Sequence, residues 1–156
     1  MADIQHKNIA EADLHEPKGA STAAVDTVYV SDGAGSGAWA GAPYRYVVQA
    51  SIPDVSTADT VYAVAPITGT ITKIYSVLDA AITVADATVT CKIAGTNITN
   101  GALTVSYSGS AIGDVDTATP TALNTVTAGQ RLDAATDGAS TTAAGLNVFF
   151  VISVGY

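Results

Sequence analysis

Charged residues are scarce in this sequence, and basic residues are scarcer still. Only 13% of the 156 residues are charged, with 14 acidic and 6 basic side chains, against an average of about 25%. The net charge of −8 argues against nucleic acid or an anionic membrane as a partner, because both polyanions are bound by patches of lysine and arginine. A surface so poor in charge indicates that much of it contacts other protein molecules.

Cysteine and long apolar runs are equally limited. The single cysteine, Cys91, excludes an intramolecular disulfide, so no oxidising compartment is required. The N-terminal segment lacks the apolar region of a secretory signal, and the longest apolar run near the end, Val148–Ile152, is far shorter than the ~20 residues of a membrane-spanning helix. We therefore expect a protein that is made in a cytoplasm and has no membrane partner.

Few side chains are available for catalysis. Both histidines, His6 and His15, lie near the N-terminus, outside the expected core, where neither is placed to serve a Ser-His-Asp or Cys-His site. Cys91 alternates inward on a β-strand pattern, which is typical of a small buried hydrophobic residue rather than of a nucleophile. The sequence therefore predicts no catalytic residue, no cofactor and no enzymatic activity.

Two short segments match ligand-binding motifs only in part. Asp114 and Asp116 lie on one side of an extended segment, but the further oxygens and the glycine of an EF-hand are absent, so we interpret them as a solvated acidic loop. The run Gly33–Gly37 lacks the lysine and the following helix of a phosphate-binding loop, which favours a linker. No metal site is expected.

The residues that remain are those of β-strands and turns. From residue 43 to residue 156, apolar residues alternate with polar ones between turn residues, at a spacing of about 8–12 residues that is typical of all-β domains. Leu146–Val154 is the strongest strand, and the stretch 70–78 requires a β-bulge because Ile71 and Ile74 differ in parity. The pattern predicts a single antiparallel, jelly-roll-like β-sandwich. Its inward side chains are expected to include Val89, Cys91, Ile93, Leu103, Val105, Val148, Phe150 and Ile152.

The first 42 residues differ in composition from the rest. They contain too few large apolar residues to form a core of their own. A β-prone run at 27–30 is followed by the glycine-serine run at 31–37, which is either a flexible connector or a wide turn. We interpret residues 1–42 as an extended N-terminal arm with a Gly/Ser linker, which becomes ordered on another surface, and residues 43–156 as the sandwich domain.

Residues 13–39 resemble the leader of decoration and head-fibre proteins of tailed phages. In this sequence an HEPKG element at 15–19 precedes the TVYV run at 27–30 and a glycine-serine run that ends at Trp39. The remainder, with phrases such as GTITKIYSVLD at 69–79, is similar to the short jelly-roll modules of phage cement proteins.

This resemblance implies a structural virion protein, assembled in the host bacterial cytoplasm, that binds the outside of an icosahedral capsid. It implies the major capsid protein as partner and a homotrimer as the oligomeric state. The arm is then expected to carry the capsid-binding residues, which are Ile4, Ile9, Leu14, His15, Glu16, Pro17, Lys18, Tyr29 and Trp39. The alternative is a jelly-roll module of a tail or fibre that binds host carbohydrate.

Overall fold

The computed structural model describes residues 22–24, 27–34, 37–41 and 44–154. The chain divides into two units, residues 1–43 with 155–156 and residues 44–154. The described ranges contain eleven strands and no α-helix. The strands are β1 (Thr27–Ser31), β2 (Gly37–Gly41), β3 (Tyr44–Ile52), β4 (Asp59–Val64), β5 (Gly69–Leu78), β6 (Ala87–Ile93), β7 (Thr96–Val105), β8 (Val115–Ala118), β9 (Thr125–Val126), β10 (Arg131–Thr136) and β11 (Leu146–Val154).

Residues 44–154 form two antiparallel sheets around a common apolar core. The first sheet has the strand order β3-β11-β5-β8, with the short β9 also paired to β5, and the second has the order β4-β10-β6-β7. This arrangement confirms the predicted all-β class and is compatible with the predicted β-sandwich. The strongest strand of the sequence, β11, is a central strand of the first sheet and pairs with both β3 and β5.

Alternation along the strands builds the core. In β6 every second residue from Ala87 to Ile93 is buried, and the residues between them are only half-buried. β11 follows the same rule from Leu146 to Ile152, as expected when successive side chains point to opposite faces of a sheet. All eight side chains predicted to point inward are buried, so the inner faces were assigned correctly.

The bulge predicted in β5 is present. Val151 of β11 pairs with Lys73, whereas the next residue, Ile152, pairs with Ile71, so Thr72 is the additional residue. Because a bulge shifts the parity of a strand, both Ile71 and Ile74 point into the core, where each is completely buried.

Candidate functional site

The arm is not a single extended strand over its described part. β1 and β2 form a two-stranded antiparallel hairpin in which Thr27 lies opposite Gly41 and Ser31 opposite Gly37. The sequence predicted a strand at 27–30 and a linker after it, so β2 corrects that prediction. Its glycines and alanines have low β-propensity, and the strand owes its formation to pairing with β1.

The reversal between the two strands depends on the residues at 31–34. The Asp32 carboxylate accepts a hydrogen bond from the Ala34 amide at 2.8 Å, and the Ser31 hydroxyl accepts one from the Gly33 amide at 3.2 Å. Gly33 has a φ of +75°, a conformation that glycine adopts without steric cost. Of the two interpretations of this run, a flexible connector or a wide turn, the geometry at residues 31–34 is that of a turn.

Tyr29 and Trp39 lie directly opposite each other in this hairpin. Their ring centroids are 5.5 Å apart and the ring planes meet at 69°, an edge-to-face arrangement that contributes about 0.5–1.5 kcal/mol beyond simple burial. Gly37 lies beneath the tyrosine, and a Cβ atom there would be 2.8 Å from Tyr29 Cε1. The sequence predicted Tyr29 and Trp39 as separate anchors, but their rings contact each other, and we call them the aromatic pair.

The opposite face of the hairpin is also apolar. Val28 and Val30 are 38% and 46% exposed, and their cross-strand partners are Ala40 and Ala38. An isolated two-stranded hairpin is marginally stable at best in water. With apolar side chains on both faces and only two strands, this hairpin requires contacts beyond its own.

The remaining predicted capsid-binding residues lie outside the described part of the chain. They are Ile4, Ile9, Leu14, His15, Glu16, Pro17 and Lys18. The structure therefore supports an argument only for Tyr29 and Trp39 among the predicted site residues.

A second candidate surface lies on the outer face of the first sheet. Six apolar side chains cross its four strands diagonally, and we call them the apolar stripe: Val47, Val151, Phe149, Tyr75, Val77 and Val115. Val47 and Val115, at the two ends, are 62% and 59% exposed, and the four between them are half-buried. Sequence analysis missed this surface because it exists only once the registers of three strand pairs are known.

The acidic segment is partly strand rather than loop. Asp114 accepts a hydrogen bond from the Ala111 amide at 2.6 Å, whereas Asp116 lies in β8, half-buried, and accepts a 3.3 Å hydrogen bond from the Ser76 hydroxyl. Burial raises the pKa of Asp116, and the neighbouring charge of Asp114 adds to the rise. Within the described ranges, no group of three or more His, Cys, Asp or Glu residues is placed to hold a metal ion.

The one cysteine is closed to solvent. Cys91 is completely buried on β6, and burial raises the pKa of its thiol to about 12. Since the thiolate is the reactive form, this position holds a small core residue.

A shallow open cleft of about 450 Å³ lies between β6 and the segment that contains β9. Its lining is formed by Ile93, Ala94, Thr96, Leu123, Thr125 and Gln130. No aromatic side chain contributes to it, so it offers no stacking platform for a sugar ring.

Comparison with known proteins yields no match. No protein-family model matches the chain, and neither the curated proteins nor the solved structures contain a match to it. No helix in the described ranges is long and apolar enough to span a membrane. Function must be inferred from the residues and geometry of the chain itself.

Proposed function

We propose that this protein is a structural virion component that binds the outer surface of a phage capsid as a decoration, or cement, protein. In this proposal the N-terminal arm contacts the major capsid protein, and the jelly-roll-like sandwich supplies shape and stability. The observation that carries the proposal is the hairpin of β1 and β2, which presents apolar side chains on both of its faces.

The hairpin has the properties of an anchor. Its aromatic pair places a tryptophan and a tyrosine side by side, and these two residue types are enriched among the side chains that dominate binding energy at protein interfaces. Val28 and Val30 add exposed apolar area on the other face. Contacts with a second protein surface would bury both faces and so offset the marginal stability of two strands.

The composition of the whole chain supports the same role. The net charge of −8 and the low charged fraction suit a partner that is protein rather than nucleic acid or lipid. The resemblance of residues 13–39 to the leaders of phage head proteins points to a capsid as that partner. Association into a homotrimer on the virion exterior belongs to the same proposal.

The alternative, a carbohydrate-binding tail or fibre module, has less support. The open cleft near β9 has no aromatic lining, and the exposed Tyr62 is covered on one ring face by the Arg131 guanidinium, 4.8 Å from the ring centroid. Binding of the purified protein to host glycans on an array would favour this alternative.

The test is binding of purified protein to capsids of the parent phage that lack it. For the full chain with Trp39→Ala, we expect affinity to fall by about 10-fold or more, because a buried aromatic anchor typically contributes at least about 1.4 kcal/mol. The matched control is Tyr107→Ala, which removes a 46% exposed tyrosine from the sandwich and should leave affinity unchanged.

Deletion of residues 1–42 provides the stronger version of this experiment. We expect capsid binding to be lost while the oligomeric mass and the β-type circular dichroism of the sandwich are retained. Undiminished capsid binding by the truncated chain would refute the anchor, and binding of glycans but not capsids would refute the capsid role altogether.

A further inference from the structure

The apolar stripe is bordered by two chemically different flanks. On one side lie the cations Arg45 and Lys73, and the Lys73 ammonium donates a 2.6 Å hydrogen bond to the Thr119 hydroxyl. We call this the cationic flank.

The other side is a hydrogen-bonded network of polar side chains that ends in the Asp79 carboxylate. We call it the acceptor flank after that carboxylate. The Asn147 side-chain carbonyl accepts hydrogen bonds from the Gln49 amide and the Ser51 hydroxyl, each at 2.8 Å. The Asn147 amide in turn donates to the Asp79 carboxylate at 2.9 Å. The exposed carboxylate of Asp79 gives this flank the charge opposite to that of Arg45 and Lys73.

The form of the surface restricts what can bind to it. β11 and β5 are paired on both sides, so the middle of the face offers no free backbone to an added strand, which is how extended peptides bind sheets. The stripe is also a row of side chains on a sheet rather than a groove for a helix. A partner must therefore be a broad folded surface with apolar side chains of its own.

The area of the face approaches that of a small protein interface. β3, β11 and β5 are each about 30 Å long at about 4.8 Å spacing, and the four-residue β8 adds a shorter strip, which together give a plane on the order of 500 Å². Each partner in the smallest interfaces of the standard class contributes about 600 Å². The relief of the side chains adds to the planar area, and a copy in a closed ring divides this face between its two neighbours.

We propose that the apolar stripe is the surface through which copies of this chain associate. A rotation axis that runs along the stripe brings the stripes of adjacent copies together and places the cationic flank of one copy against the acceptor flank of the next. Unlike flanks then meet at every interface, as a closed ring of identical subunits requires. This inference rests on the homotrimer of the proposed function. Self-association is measured on the purified protein alone, so its failure is distinguishable from a failure of capsid binding.

The test is sedimentation equilibrium of the full chain with a matched pair of substitutions. Val47→Lys and Val115→Lys together place charge at the two exposed ends of the stripe, where folding is least affected. The control, Val64→Lys, introduces the same side chain at a position that is 60% exposed on the edge strand β4 of the second sheet. We expect the wild type and the control to sediment as trimers, and the stripe variant to dissociate with a constant raised by about 10-fold or more.

Unchanged thermal unfolding midpoints of dilute samples establish that the variants fold. A wild type that stays monomeric at millimolar concentration overturns the proposal, and so does a stripe variant that keeps the wild-type mass. A wild-type dimer that the stripe substitutions dissociate supports the surface and replaces the three-fold axis by a two-fold axis.

Discussion

The two outer faces of the sandwich are built from strands of the same kind but carry different side chains. The first sheet presents valine, phenylalanine and tyrosine in the apolar stripe across four strands. The second presents threonines such as Thr88, Thr90 and Thr104 together with Lys92, and its exposed large apolar side chains, Tyr62 and Val64, are confined to the edge strand β4. Threonine and valine have similarly high β-propensity. Either residue type is therefore compatible with a β-strand. The fold alone does not explain why the outer face of the first sheet carries apolar side chains.

The largest expected loss of stability is on the inner side of β11, and it should exceed the loss on the outer side of the same strand. Phe150 is completely buried in the core, and its neighbour Phe149 lies in the stripe. We expect Phe150→Ala to lower the free energy of unfolding by about 3–5 kcal/mol, the usual range for a buried aromatic residue. Phe149→Ala should cost much less in dilute monomer, and denaturant unfolding of both variants measures the difference. Equal losses would mean that both faces of β11 are core.

The second largest expected loss of stability is on the outer face of the second sheet, where a buried carboxylate is stabilised by hydrogen bonds. Asp133 is only 2% exposed and accepts hydrogen bonds from the Arg131 guanidinium and, at 2.9 Å, from the Gly95 amide. Asp133→Ala leaves these donors without their partner, so we expect a loss of about 1–3 kcal/mol in chemical denaturation. Thr104→Ala, on the exposed side of β7, is the control and should change stability by less than about 0.5 kcal/mol. A loss no larger than that of the control would show that solvent replaces the carboxylate.

The smallest expected change in stability is at Asp116 of the first sheet. This carboxylate accepts one long hydrogen bond, from Ser76, whereas Asp133 accepts several shorter ones. Because burial raises the pKa of Asp116 in the folded state, the charged form destabilises the fold above that pKa, and the penalty disappears as pH falls towards the ordinary value. We expect Asp116→Asn to stabilise the protein near neutral pH by only a few tenths of a kcal/mol, since the carboxylate is partly screened by solvent. The gain should vanish in acid, and thermal unfolding across a pH series measures it. A gain that persists below the ordinary pKa of aspartate would contradict the electrostatic explanation.

The sequence was sufficient for the inner faces of the sheets and insufficient for their outer faces. In β11, residues of both parities are apolar, Val148 and Phe150 on one side and Phe149 and Val151 on the other. The strand and its bounds could be predicted from this run, but the role of the second side depends on β3 and β5, which are distant in sequence. β8 was missed because four residues, two of them polar, are too few to show an alternation, so the strand is recognised only by its pairing with β5.

The arm shows the same limit at short range. A strand at 27–30 was predictable from its β-branched residues, but Gly37 and Ala38 gave no indication of β2. The facing positions of Tyr29 and Trp39 follow from the register of the hairpin, in which Ser31 lies opposite Gly37, and the length of the connection sets that register. Tyr29 and Trp39 were interpreted as independent anchors because the pairing of β1 with β2 was not predicted.

The position of β11 has a consequence for biosynthesis. It is the last of the strands in the described ranges, and it lies between β3 and β5. A nascent chain emerges N-terminus first, so β3 and β5 leave the ribosome before the strand that joins them has been translated. The strands of the second sheet all precede β11 and are able to pair earlier. Phe149 and Val151 belong to β11, so the apolar stripe is assembled only after β11 has been translated.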